Sequence, residues 1–103
     1  GCTVRDYVDV SDVATAVITI LNENIENEIF NIGSGLGYSL LDVLEFLEKH
    51  LDRSAKVVFK KKKTYDVDKS TLDISKLNSY INYKPEKLDI GIKNFIEHLM
   101  RND

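Results

Sequence analysis

From Val4 to Val10 the chain alternates, with Val4, Val8 and Val10 on one face and Arg5, Tyr7 and Asp9 on the other. A period of two is that of a half-buried strand, and it sets Arg5 and Tyr7 side by side. Ser11 is a good N-cap residue, and Val13, Ala14, Val17, Ile18 and Leu21 then recur at helical spacing. The apolar face is broad enough to predict a largely buried helix. Glu28–Ile32 is a short β-rich run, followed by the loop Gly33-Ser-Gly-Leu-Gly37. Ser39 and Asp42 then have capping-box spacing ahead of Leu40, Val43, Leu44, Leu47 and Leu51, which predicts a helix. Val57–Phe59 reads as a further strand, so residues 28–60 predict a right-handed βαβ unit with two parallel strands. Residues 60–71 are polar and irregular, and Asp73 or Ser75 is placed to cap a short helix through Leu77 and Ile81 that Pro85 does not allow to continue. Leu88, Ile92, Phe95, Ile96, Leu99 and Met100 mark a closing helix at 3.6-residue spacing. The expected fold class is α/β, with about three short strands and roughly three to four helices.

Composition bounds this picture. With 103 residues, 43% hydrophobic and 30% charged, the chain has material for one soluble domain. Chains of this size bury only about 60–70% of their unfolded surface, so such a core readily leans on a neighbouring domain. One cysteine, Cys2, forms no internal disulfide, and with two scattered histidines it makes no metal-ligand set; a reducing, cytoplasmic setting is expected. No apolar run approaches the roughly 18–20 residues of a membrane span, and Gly1–Asp9 lacks the hydrophobic stretch of a signal peptide. The net charge of −3 is unevenly placed: residues 1–55 hold three Lys/Arg against ten Asp/Glu, and residues 56–103 hold eleven against seven. The lysine-rich end, dominated by Lys60–Lys63, is therefore where an anion is expected.

Several tempting motifs fail on context. The glycine loop between a strand and a helix suggests a phosphate cradle, but Tyr38 stands where the dinucleotide fingerprint G-x-G-x-x-G needs its last glycine. A structural turn is the better reading. Tyr-x-x-x-Lys, the acid/base pair of short-chain dehydrogenases, occurs at Tyr65/Lys69, Tyr80/Lys84 and Tyr83/Lys87. The first sits in a charged loop and Pro85 lies beside or inside the other two, so none is expected to be catalytic. Lys60–Lys63 has no interleaved aromatics for nucleic acid, and a solvated strand end competes with a local phosphate site in which Arg5 is the second cation. His50 and His98 lie near predicted helix ends and are expected to address terminal carbonyls.

Three blocks taken together say more. Val4-Arg-Asp-Tyr-Val-Asp-Val-Ser-Asp-Val-Ala14, then Phe30-Asn-Ile-Gly-Ser-Gly-Leu-Gly-Tyr-Ser39, then Asp66-Val with Leu72-Asp-Ile-Ser-Lys-Leu77 and Tyr83-Lys-Pro85, resemble the last third of the extended short-chain dehydrogenases. The resemblance is strongest to UDP-glucose 4-epimerases and related NAD-dependent nucleotide-sugar epimerases and dehydratases. It implies that residues 1–103 are a carboxyl-terminal nucleotide-sugar-binding domain, with an NAD-binding Rossmann domain upstream that this chain lacks. It implies that Arg5 binds the diphosphate, that Tyr7 and Leu40 line the nucleotide pocket, and that Lys63 and Asp66 contact phosphate and ribose. Lys63 replaces the family's arginine, giving a point charge in place of a bidentate fork. Asp9 stands where the family usually has His or Tyr, and Tyr65 where many members have Gly.

The resemblance further implies that the catalytic Ser/Thr and the true Tyr-x-x-x-Lys lie upstream of Arg5. The parent would then oxidise a sugar carbon transiently through bound NAD, while this chain supplies substrate binding and orientation, holds no cofactor of its own and is no enzyme alone. The expected partners are a nucleotide sugar, most simply a UDP-sugar, the missing Rossmann domain and, for the parent, a second subunit in a homodimer. Neither nucleic acid nor membrane is expected. The reading requires an open reading frame extending roughly 180–220 residues upstream. The alternative is a free-standing nucleotide-binding or interaction module without catalysis.

Overall fold

The middle strand of the sheet is β1 (Val4–Asp6), which pairs antiparallel with β2 (Gly37–Ser39) on one side and parallel with β3 (Lys69–Ser70) on the other. The computed structural model describes residues 3–54, 56 and 69–101. Around the sheet lie α1 (Val10–Asn22), α2 (Leu40–Leu51), α3 (Ser75–Tyr80) and α4 (Leu88–Arg101). The α/β class, with three strands in one sheet and four helices among the described residues, is as the sequence predicts. The parallel pair is not where it was expected: it joins β1 to β3. Glu28–Ile32 enters no ladder, and Val57–Phe59 lies outside the described residues, as do Lys60–Lys63.

Local chemistry explains where the elements begin. β1 stops at Asp6 because Asp9, not Ser11, is the cap of α1: its carboxylate accepts from Ser11 N at 2.9 Å and from Ser11 Oγ at 2.7 Å. The backbone must therefore turn into the helix by Val10, which ends ladder pairing four residues earlier than alternation suggests. The capping box at α2 forms as expected, Ser39 N donating to Asp42 Oδ2 and Asp42 N to Ser39 Oγ. At α3 the cap position falls to Ile74, which makes no side-chain cap bond, so neither Asp73 nor Ser75 is the cap expected; Asp73, one residue before it, accepts from Ser75 N at 2.9 Å. Gly37 sits so close to β1 that an added Cβ would lie 2.5 Å from Val4 Cγ1.

The core is small. Ala16 of α1, Leu77 of α3, Ile81 and Tyr83 form its buried centre, with Ile20, Ile25, Phe30, Ile32 and Ile74 packed around them. α2 and α4 pack on each other, and His50 Nε2 meets Asp89 Oδ1 while Lys49 Nζ pairs with Asp89 Oδ2 at 2.8 Å. His50 thus reaches across to α4, not back to its own helix carbonyls.

The expectation that α1 is largely buried is not met. Ala16 is its only buried residue, and Val10, Val17, Ile18 and Leu21 are exposed. At about 100° per residue the apolar side chains of α1 cover roughly 200° of arc, about twice what one buried face requires. The core side uses Ala16 and Ile20, leaving the stripe Val10, Ala14, Val17 and Leu21 open.

Candidate functional site

Arg5 lies in the middle of β1, directly opposite Tyr38 on β2 and in register with Ser70 on β3. Opposed residues of an antiparallel pair project to the same face about 5 Å apart, so Arg5 and Tyr38 are neighbours. The guanidinium is half-buried, and Nη1 donates to Val4 O at 3.0 Å. Tyr38 is held edge-on by Phe46 of α2, ring centroids 6.1 Å apart. Leu40 opens α2 two residues beyond Tyr38 and is exposed. The structure therefore gathers Arg5, Tyr38 and the start of α2 at one end of the β1–β2 pair.

Tyr7 is placed differently. It follows the end of β1 and lines a cavity of about 320 Å³ with Val8, Asp9 and Val10 on one side and Leu88, Gly91, Ile92 and Phe95 of α4 on the other. The cavity is largely apolar, and Arg5 and Leu40 are not among its lining residues. The shared strand face expected for Arg5 and Tyr7 is interrupted because the strand ends between them. Lys63 and Asp66 lie outside the described residues; the chain re-enters at β3, alongside Val4 and Arg5.

Two residues with no place in the sequence argument prove central. Tyr38 entered only as the residue that spoils a glycine fingerprint, yet its cross-strand register makes it the aromatic neighbour of Arg5. Asp6 is the second. Its Oδ1 accepts from Ser34 N at 2.8 Å and Ser34 Oγ at 2.7 Å, and its Oδ2 from Gly35 N at 3.0 Å and Leu72 N at 3.1 Å. Burial pushes this carboxyl's pKa up, but the bonds from Ser34, Leu72 and Gly35 outweigh it and hold the pKa below its ordinary value. One carboxylate thus ties the Arg5 strand, the glycine loop and the segment after β3 together. A motif scan finds no signal for this, because the donors are backbone N–H groups distant in sequence.

This clamp decides the glycine loop. The N–H groups of Ser34 and Gly35, which a phosphate would need, already bind the protein's own anion, so the described residues do not fit a dinucleotide cradle. Gly35 is required by its φ of +76°. Gly33 is required by space, since an added Cβ would lie 2.9 Å from Asp6 Oδ2. The tyrosine–lysine pairs are likewise structural. Tyr83 is buried and donates to Gly33 O; burial, then Asp12 and Asp6, raise its pKa. Tyr80 donates to Glu28 Oε1 at 2.9 Å, and that contact raises its pKa too. A tyrosine acting as general acid/base needs the opposite shift. Tyr65 lies outside the described residues. Among the described residues no group of three or more His, Cys, Asp or Glu could hold a metal ion, and no helix is long and apolar enough to cross a membrane.

No family model matches the chain. Individual proteins do. It is 33% identical, over its whole length, to a putative UDP-glucose 4-epimerase of Methanocaldococcus jannaschii, covering 33% of that protein. Its fold superposes with a TM-score of 0.84 on the UDP-glucose 4-epimerase of Thermotoga maritima crystallised with UDP-glucose, at 32% identity, over 99% of this chain and 33% of that one. The UDP-glucuronic acid 4-epimerase of Bacillus cereus, in complex with UDP-glucuronic acid and NAD, matches at 30% identity and a TM-score of 0.79, over 96% of this chain and 33% of that one. In sequence and in structure, then, the neighbours of this chain are NAD-dependent epimerases and dehydratases of the short-chain dehydrogenase type. Several of them are UDP-glucose and UDP-glucuronate 4-epimerases, and the chain spans about a quarter to a third of the length of the relatives it matches.

Proposed function

We propose that this chain is the carboxyl-terminal, nucleotide-sugar-binding portion of an NAD-dependent sugar epimerase or dehydratase, and that it is catalytically incomplete by itself. The observation that carries the reading is the superposition of 99% of the chain on one third of an epimerase crystallised with UDP-glucose. In this reading Arg5 neutralises the diphosphate of a UDP-sugar from the middle of β1, and Tyr7 and Leu40 contribute to the nucleotide pocket. Lys63 and Asp66 contact phosphate and ribose. The residues described here do not fit NAD, because Asp6 fills the one glycine-rich nest and Tyr80 and Tyr83 are committed to structural bonds. NAD binding and proton transfer are therefore assigned to a preceding domain, and binding and orienting the substrate to this one. The open stripe of Val10, Ala14, Val17 and Leu21 on α1 supports such a neighbour.

The test is titration of UDP and UDP-glucose into the protein as encoded, upstream portion included, by calorimetry, alongside the Arg5→Ala variant. Micromolar binding of both ligands that weakens about 30-fold in the variant, the size of a charge-assisted phosphate contact, is expected. Unchanged affinity in Arg5→Ala, or an encoded protein with no NAD-binding portion before Val4, overturns the proposal.

A further inference from the structure

Tyr38 is held from three sides. Gly37 before it leaves no room for a side chain: an added Cβ would lie 2.5 Å from Val4 Cγ1 and 2.8 Å from Thr71 Cγ2, so β2 is brought close against β1 here. Ser39 after it is fixed by both bonds of the capping box. The ring itself meets Phe46 of α2 edge-on, with 70° between the planes. Backbone and side chain are thus secured separately. The register Arg5↔Tyr38 sets the two side chains on one face of the sheet, with their Cβ atoms about 5 Å apart. On the other flank Arg5 is in register with Ser70, whose side chain is too short to restrain a guanidinium. Of the two cross-strand flanks, only Tyr38 carries bulk. Arg5 Nη1 donates to Val4 O at 3.0 Å, which keeps the half-buried head group along its own strand, beside the tyrosine.

We infer that Tyr38 is a positioning residue for Arg5: its ring, fixed by Gly37, Ser39 and Phe46, restricts the guanidinium to the few rotamers from which it meets a diphosphate. The inference deepens the proposed function and rests on it for the ligand. An arginine has many rotamers to lose, and fixing them at the moment of binding costs affinity. A side chain confined during folding has lost them already. Tyr38 therefore acts through Arg5 and not on the ligand, and the ring, not the hydroxyl, carries the effect. Loss of the ring should weaken diphosphate binding about 3- to 10-fold, the ordering cost of one long side chain. That is less than the loss expected on removing Arg5 itself, because the charge stays in place.

The test uses the protein as encoded, with UDP and uridine as ligands and Tyr38→Ala, Tyr38→Phe and Arg5→Ala as variants. Tyr38→Ala is expected to weaken UDP about 3- to 10-fold and uridine less than about 2-fold, and to change UDP affinity less than about 2-fold in the Arg5→Ala background. Tyr38→Phe, which keeps the ring, should bind UDP within about 2-fold of wild type. An equal loss in both backgrounds, an equal loss for uridine, or a Tyr38→Phe variant as weak as Tyr38→Ala overturns the inference. NMR relaxation of the Arg5 Nε–H group without ligand gives a readout independent of binding. Its order parameter is expected to fall from about 0.8 in wild type to below about 0.6 in Tyr38→Ala. Should Tyr38→Ala not fold, Phe46→Leu frees the ring while leaving β2 in place, and it is held to the same outcomes with a UDP loss of about 2- to 3-fold. The two claims then separate. Absence of UDP binding in wild type, with the order parameter still falling in the variant, sinks the substrate reading alone. UDP binding with the order parameter unchanged sinks the positioning role alone.

Discussion

Replacing Asp6 with Asn should loosen three segments at once. The amide keeps one oxygen, which can still accept from Ser34 N and Ser34 Oγ, but it sets an NH2 group against the donors Gly35 N and Leu72 N. Hydrogen bonds to a charged acceptor contribute about 1.5–3 kcal/mol each, and an exposed donor recovers part of that from water. Gly35 and Leu72 are both exposed, so the lower end applies and the loss is about 2–3 kcal/mol. For a chain of this size, with a urea m-value of about 1 kcal/mol/M, the denaturation midpoint should fall by about 2–3 M. Far-UV circular dichroism against urea measures it. The partner is tested by a double-mutant cycle of Asp6→Ala with Ser34→Ala, because Asp6→Asn leaves the Ser34 bonds in place, and a coupling of about 0.5–1.5 kcal/mol is expected. A midpoint shift under about 0.5 M, or full additivity with Ser34→Ala, would refute the clamp as the feature that joins β1 to the glycine loop.

Other consequences are as direct. The Asp6 carboxyl has its pKa lowered on folding, so its contribution is complete above the unfolded value and lost as pH falls through the folded one; acid titration of wild type and Asp6→Asn should converge once the pH has fallen through that lowered value. Gly35→Ala forces a side chain into φ +76° with Ile74 Cδ1 at 3.2 Å, and thermal melting should show a loss of about 1–2 kcal/mol. Asp89 has its pKa lowered by Lys49 and His50, so Asp89→Asn should weaken the α2–α4 contact at neutral pH and have no effect in acid, read from the melting temperature. Val17→Asp on the open stripe of α1 should leave the stability of the 103-residue chain within about 0.5 kcal/mol of wild type, as thermal melting would show.

What could be read in the sequence was what short-range chemistry determines. The Ser39/Asp42 capping box, the stripe of α4 and the break at Pro85 depend on residues within one or two turns, and all three appear as expected. The resemblance carried by the Arg5, glycine-loop and Tyr83-Lys-Pro85 blocks identified the class of relatives correctly. What stayed hidden depends on partners far along the chain. Alternation from Val4 to Val10 could not show that Asp9 ends the strand by capping α1. Nothing local distinguishes His50 aimed at Asp89 from His50 aimed at its own helix end. The strand pattern at Glu28–Ile32 enters no ladder, and half of the broad apolar arc of α1 stays exposed, for reasons that no local pattern carries. Of the candidate site, Arg5 and Leu40 come to adjoining elements, and Tyr7 is set apart on the cavity wall.

The placement of β1 also governs the order in which the chain can fold. Its parallel partner begins at Lys69, and the Asp6 carboxylate is not satisfied until Leu72 N arrives, 66 residues further along. Closing a loop of that length costs about 4 kcal/mol of chain entropy before any contact repays it. α2 is capped within its own first turn and can form early. The β1–β3 pair and the Leu72 bond to Asp6 cannot, and they form only after the distal segment has come back. Arg5, riding on that strand, has both of its neighbouring strands only then, and refolding rates should respond to changes at Leu72 as well as to changes beside Arg5 itself.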